Sequence, residues 1–300
     1  MADENTTKSG LQSAEPTDLT LIREKLENQM AEYAARDICL AFSGGVDSSL
    51  LLKAAVQAAE HTGRQVWAVT FGSRLHPSCD LEIAGRVAAE LGGIHRVITV
   101  DELEQEEIRN NPVDRCYLCK RHLFSTLKAF AEERGIDRIL DGTNEDDMHV
   151  YRPGIRALRE LGITSPLADL HITKAQVKEL AAWYGISVAS RPSTPCMATR
   201  IPYNTPIDYD MLRRIGEGEA YLRTLVGGNV RLRLHGDIAR IEVDFAAMEQ
   251  MLRVKERAAA RLKELGFCYI TLDLEGFRSG SMDIGIKMEV GELFDGFRWQ

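Results

Sequence analysis

The sequence predicts an α/β protein: a parallel sheet flanked by helices, followed by a smaller C-terminal α+β domain. Two observations carry this expectation. Short apolar strands alternate with helical patterns as far as Trp183, and beyond a proline-crowded interval (Pro192, Pro195, Pro202, Pro206) strands begin to follow one another directly. With 300 residues, 44% of them hydrophobic and 27% charged, the chain can bury one large core or two smaller ones.

A polar leader over 1–17 is expected to be disordered. Asp18 then caps a predicted helix over 19–35, in which Leu19, Leu21, Ile22 and Leu26 recur at helical spacing. Strands over 38–42, 65–70, 95–100 and 138–141 alternate with helices over 50–60, 81–91 and 119–133, and a helix over 174–183 completes a domain spanning 18–205. From 206 to 300 the pattern is a helix over 211–225, paired strands over 230–234 and 239–243, a helix over 246–265 and a strand over 269–274.

Lys and Arg total 37 against 45 for Asp and Glu, a net charge of −8, which gives no global drive toward nucleic acid or anionic lipid. No apolar run approaches the roughly 20 residues of a membrane helix, and the first residues lack a signal-peptide core, so a cytoplasmic location is expected.

The strongest local signal is Ser43-Gly44-Gly45-Val46-Asp47-Ser48-Ser49, between an apolar strand and a helix. Glycines let the backbone approach an anion, and free N–H groups at the helix start bind phosphate. This is not the GxxxxGK[ST] loop of γ-phosphate transfer. It resembles the SGGxDS loop of the PP-loop ATP pyrophosphatases. That resemblance implies cleavage of ATP between the α- and β-phosphates, with Ser43, Gly44, Gly45, Val46, Ser48 and Ser49 around the pyrophosphate and Asp47 helping to place Mg²⁺. Thr143 and Asn144, in the Asp141-Gly142-Thr143-Asn144 run after a predicted strand, stand where open α/β sheets place ligand groups, though a plain polar turn explains them equally well.

Six cysteines are too few for a disulfide scaffold in a chain of this length. Cys39 sits in a predicted buried strand and Cys268 leads into another, so both are expected in the core; Cys79 is expected to be an exposed or half-buried thiol. Cys116 and Cys119 form a CxxC among Arg115, Lys120 and Arg121, and such cations favour thiolate. Cys196 lies in a run too rich in proline to be core. Zinc with His122, His149 or His235 as fourth ligand, a redox dithiol and an iron–sulfur centre all remain open on these residues alone.

SGGVDSS, RCYLCK, DGTNEDD with YRPG, P-x-x-x-C-x-x-x-R-I-P-Y and FRSGSMD occur in this order over nearly the whole chain. Together they resemble the sulfur transferases of nickel-pincer nucleotide biosynthesis, the LarE family. The resemblance implies that ATP adenylates the carboxylates of pyridinium-3,5-biscarboxylic acid mononucleotide and that sulfur displaces AMP. One branch of the family uses a single cysteine, matching Cys196, that surrenders its sulfur and becomes dehydroalanine. Another adds a CxxC pair to hold a [4Fe-4S] cluster through three cysteines, and Cys116 and Cys119 place this chain with that branch, supplied by sulfide or another sulfur donor.

The resemblance also implies a substrate grip from Lys120, Arg200, Arg231 and Arg233 with Glu219 and Glu242, and assembly into hexamers. Arg231 and Arg233 alternate on one predicted strand and so share a face, which without the resemblance would read as a solvated surface. A cluster-dependent tRNA thiolase would share the loop and the cysteines but calls for a basic surface that a net charge of −8 does not offer. A non-catalytic adenine-nucleotide-binding regulator would have no use for Asp47 and the clustered cysteines.

Overall fold

The computed structural model describes residues 18–283 apart from Tyr151, Ser193 and Ser279. The leader, the tyrosine of YRPG and the first serine of FRSGSMD thus lie outside the described residues. In chain order the elements are α1 (Asp18–Tyr33), β1 (Ile38–Ala41), α2 (Val46–Glu60), β2 (Val66–Ser73), α3 (Ser78–Leu91), β3 (Ile94–Val100), α4 (Glu106–Arg109), α5 (Arg115–Glu132) and β4 (Arg138–Leu140). Four short or medium helices follow: α6 (Glu145–Met148), α7 (Gly154–Glu160), α8 (Pro166–Asp169) and α9 (Lys174–Trp183). The remainder is α10 (Tyr209–Leu225), β5 (Val230–His235), β6 (Ile238–Val243), α11 (Met248–Arg253), α12 (Lys255–Glu264) and β7 (Tyr269–Leu272).

The first sheet has the order β3-β2-β1-β4 and every pairing in it is parallel. Central β1 shows why. Its residues alternate between two buried faces, Ile38 and Leu40 packing with α1, α2, α3 and α9, and Cys39 with α5 and α7. Burial pushes the Cys39 thiol up to about 12, so this cysteine serves the core, as expected. Leu50, Leu51 and Leu52 are all buried on α2, each contributing about 2 kcal/mol of hydrophobic stabilisation.

The second sheet runs β5-β6-β7, with β5 and β6 antiparallel and β6 and β7 parallel. A parallel neighbour requires a crossover, and the α11–α12 pair supplies it. The helical pattern over 246–265 is thus two helices meeting at Val254 rather than one. Cys268 corrects an expectation: it precedes the edge strand β7, whose residues are exposed or half-buried, and its thiol is exposed rather than core. Cys79 is exposed as expected.

The proline-rich loop corrects another. Met197, Ala198 and Ile201 are buried in the core formed by Leu212, Ile215 and Leu222 of α10 and Leu232 of β5. Proline denies this segment regular structure but does not keep it out of the interior. The Met197 N–H donates to the Leu75 carbonyl at 2.7 Å, tying the loop to the C-terminal end of β2.

No helix among the described residues is long and apolar enough to cross a membrane.

Candidate active site

The glycine loop turns β1 into α2. Gly44 takes a φ of +68°, and a Cβ there would stand 2.8 Å from the Ala84 Cα, so any other residue is excluded by strain and by contact. Gly45 caps α2 without a side-chain hydrogen bond, leaving the helix-start N–H groups for an anion. The helix begins at Val46, four residues before the apolar pattern that predicts it, because Asp47, Ser48 and Ser49 fill its first turn with polar groups. Ser43 and Ser48 lie with their hydroxyl oxygens 3.2 Å apart, and Ser48 also donates to the Gly45 carbonyl at 3.2 Å.

The turn after β4 closes on this loop. Asn144 Nδ2 donates to Asp47 Oδ1 at 3.0 Å, and a Cβ at Gly142 would come within 3.1 Å of the Ser48 nitrogen. Thr143 instead donates to Asp141 Oδ2 at 2.7 Å. A residue missed by the sequence reading completes the group: Lys174 pairs with Asp47 Oδ2. Its signal was a cation in the first position of α9, where the helix dipole disfavours positive charge unless a partner holds it.

The thiols come from two segments. Because α5 starts at Arg115, Cys116 and Cys119 stand three residues apart on one helix face. Cys119 and Cys196 pack against the same apolar cluster. Burial raises the Cys119 thiol, and Cys196, Glu102 and Cys116 raise it further, so these groups feel one another's charge. Burial likewise raises Cys196, with Arg115 opposing. For Cys119 this corrects the expectation that three flanking cations favour thiolate. Arg121 reaches Glu107 and the Tyr117 ring, Lys120 reaches Asp141, and Arg115 alone faces the thiols, its Nη2 donating to Cys116 Sγ at 3.4 Å.

Glu102, another residue the sequence did not single out, is fully buried beside these thiols. One of its carboxylate oxygens accepts from Ser73, and the other has no hydrogen-bond partner among the described residues.

The predicted substrate cations divide. Arg200 and Glu219 are 1% and 2% exposed and form a two-pronged pair, with Nε to Oε1 at 2.7 Å and Nη2 to Oε2 at 3.2 Å. Burial works against the Glu219 charge, but Arg200, the Leu232 N–H and Arg223 hold its carboxyl below the usual range. Arg233 pairs with Glu242 at 2.9 Å, and Glu242 also accepts from Arg240 at 2.9 Å and from Ser281 at 2.6 Å.

Arg231 differs. It is buried on the same strand face, yet among the described residues it has no ion-pair partner: Nη1 donates to the Val230 carbonyl at 2.8 Å and the guanidinium lies 5.2 Å from the Phe277 ring centre. Burial, together with Arg200, Arg223 and Arg233, lowers its pKa to about 10. Burial also excludes the solvated-surface reading of these arginines.

Among the described residues, no three His, Cys, Asp or Glu side chains close on a point as ligands of one metal ion. The donor set of Cys116, Cys119 and Cys196 fits iron–sulfur chemistry in kind, since soft thiolates bound to separate irons need not meet at a point.

A PP-loop domain model matches residues 19–149. The chain is 37% identical over 265 residues, 88% of its own length and 95% of the relative's, to pyridinium-3,5-bisthiocarboxylic acid mononucleotide synthase of Lactiplantibacillus plantarum. It is 36% identical over 266 residues to an uncharacterized protein of Synechocystis, covering 88% of this chain and 98% of the relative. It is also 33% identical over 256 residues to an uncharacterized protein of Methanocaldococcus jannaschii, covering 85% and 96%.

Proposed function

This chain belongs to the LarE family of ATP-dependent sulfur transferases, PP-loop proteins, and on that premise we propose that it converts both carboxylates of pyridinium-3,5-biscarboxylic acid mononucleotide to thiocarboxylates. The observation that carries the proposal is the adjacency of two sites. Lys120, on the helix of Cys116 and Cys119, stands 3.8 Å from Asp141, whose neighbour Asn144 bonds to Asp47 of the phosphate loop.

In the proposed reaction a substrate carboxylate oxygen attacks the α-phosphorus of ATP, and the bond to pyrophosphate breaks. The backbone N–H groups of Gly44, Val46, Asp47 and Ser48 and the Ser43 and Ser48 hydroxyls receive the charge that develops on pyrophosphate; the Ser49 N–H is held by the Gly45 carbonyl. Asp47 would help hold Mg²⁺, which when bound would offset charge on the departing pyrophosphate; Asn144 Nδ2 orients the Asp47 carboxylate and Lys174 stands beside it as a fixed cation. Sulfur then attacks the adenylated carbonyl carbon, a C–S bond forms, and AMP departs with the electron pair of the broken C–O bond.

Arg231 is the cation available to the substrate's anionic end, while the Arg200–Glu219 and Arg233–Glu242 pairs fix the walls around it. Cys116, Cys119 and Cys196 would hold a [4Fe-4S] cluster, which when bound supplies transferable sulfur so that no cysteine is consumed. The buried Arg115 orients Cys116. A hexamer accords with the family, and sulfide is the simplest donor.

The test is pyrophosphate release. It is expected with ATP and the pyridinium nucleotide together, and not with ATP and tRNA. Release with tRNA alone would make the chain a tRNA thiolase; release with neither would make it a nucleotide-binding regulator.

A further inference from the structure

We infer that Asn111 is the positioning residue that docks the Cys196 loop onto the cysteine helix; the inference rests on reading the three thiols as one sulfur site. Asn111 lies between α4 and α5, is fully buried and takes a φ of +51°. That left-handed conformation disfavours nearly every side chain, and asparagine is among the few that enter it.

Every polar group of this residue is used. Its N–H donates to the Ile108 carbonyl and its carbonyl accepts from the Asn204 N–H, each at 2.9 Å. Nδ2 donates to the Pro202 carbonyl at 2.8 Å and reaches the Ile201 carbonyl at 3.5 Å. Oδ1 accepts from Arg115 Nη1, the guanidinium whose other nitrogen contacts Cys116 Sγ. One buried amide therefore joins the carbonyls that close the Cys196 loop to the arginine that touches the first thiol of CxxC. A second tie runs beside it, from the Ile207 N–H to the Arg109 carbonyl at 2.8 Å.

Neither aspartate nor glycine, which also enter this backbone region, meets both demands. Aspartate tolerates the backbone and accepts from Arg115, but it has no donor for Pro202 and leaves a buried carbonyl unpaired. Glycine fits the backbone and makes neither side-chain bond. The carboxamide is thus specified by two segments that are far apart in sequence and meet only in the fold.

The test uses the full chain with the exposed Cys79 and Cys268 replaced by serine, the metal-free thiols, and dibromobimane, which bridges two nearby thiols. Peptide mass distinguishes a bridge between Cys116 and Cys119, within one helix, from a bridge between that helix and Cys196. In Asn111→Gly, which loses the bonds to both Pro202 and Arg115, bridging to Cys196 should slow at least roughly tenfold, the scale of the hydrogen bond to the Cys196 loop alone, while the bridge within the helix and the affinity for ATP stay unchanged. Bridging to Cys196 at the parent rate overturns the inference.

Should Asn111→Gly lose ATP binding as well, Asn111→Asp, which withdraws only the donor to Pro202, is read the same way, with slower bridging to Cys196 expected and the parent rate again overturning the idea. Failure of the parent itself to bridge any thiol to Cys196 would instead overturn the single-site reading on which the inference rests.

Discussion

Lys120 and Asp141 face each other across 3.8 Å, and a glycine makes the approach possible: a Cβ on Gly154, at the start of α7, would stand 2.9 Å from the Lys120 Cδ and 3.3 Å from the Cys116 carbonyl oxygen. Asp141 is buried and also accepts from Thr143 and Ser165. The strand end that serves the phosphate loop therefore also holds the helix that serves the thiols. Gly154→Ala should displace both Lys120 and Cys116. Thiocarboxylate formation is expected to slow several-fold, because the Cys116 carbonyl and the Lys120 stem must give way, with ATP affinity unchanged. Product quantified by mass against ATP binding by calorimetry checks this.

Lys174 is the cation of the phosphate loop that the sequence pattern hides. Lys174→Met removes the partner of Asp47 and a fixed positive charge beside the developing pyrophosphate. Pyrophosphate release should fall roughly 10²- to 10³-fold, as for loss of one preorganised donor, with the thiol site intact. Steady-state release at saturating nucleotide is the measurement, and a wild-type rate would remove Lys174 from the adenylation step.

The Arg200–Glu219 pair braces the Cys196 loop against α10. Glu219→Gln leaves a buried guanidinium without its counter-charge and should cost about 3–5 kcal/mol of stability at pH 7, read from denaturant unfolding. The pH dependence follows from the direction of the shift. The folded carboxyl titrates below its unfolded value, so its contribution is complete above the unfolded pKa and disappears as pH falls through the depressed folded one. The gap between wild type and Glu219→Gln should therefore narrow in acid and stay constant from pH 6 to 8.

Arg231 is a buried cation with no carboxylate of its own among the described residues, and unlike Arg115 it lies on the strand face of the Arg233–Glu242 pair. Arg231→Ala should raise KM for the pyridinium nucleotide roughly 10- to 100-fold, the worth of a hydrogen bond to a charged group, while KM for ATP stays put. Equal changes in both KM values would place Arg231 outside the substrate subsite.

The parallel sheet, the glycine loop and the C-terminal mixed-sheet region were legible because each rests on local pattern. Strand alternation fixed β1, β2 and β3, and the helix over 174–183 has the ends of α9. The short α4, α6 and α8 escaped because four residues are too few for a helical period to show. What sequence could not supply was depth. Arg231 and Arg233 read as surface by residue type, yet they are buried because segments far along the chain pack over that strand face. The cations flanking CxxC misled for the same reason: Lys120 and Arg121 neighbour the thiols in sequence but point to Asp141 and Glu107. Asn111 and Glu102 carry no motif, and their meaning appears only when the Cys196 loop meets α5.

The most direct test of the account is an anaerobic count of sulfur delivered. The reconstituted protein is incubated with ATP, Mg²⁺, sulfide and the pyridinium nucleotide, and thiocarboxylate formed per chain is measured alongside the intact mass of the protein. With Cys116, Cys119 and Cys196 acting as a site that is not consumed, product should exceed one thiocarboxylate per chain and the protein mass should stay unchanged. Product that stops at one sulfur per chain, with Cys196 converted to dehydroalanine, would contradict it.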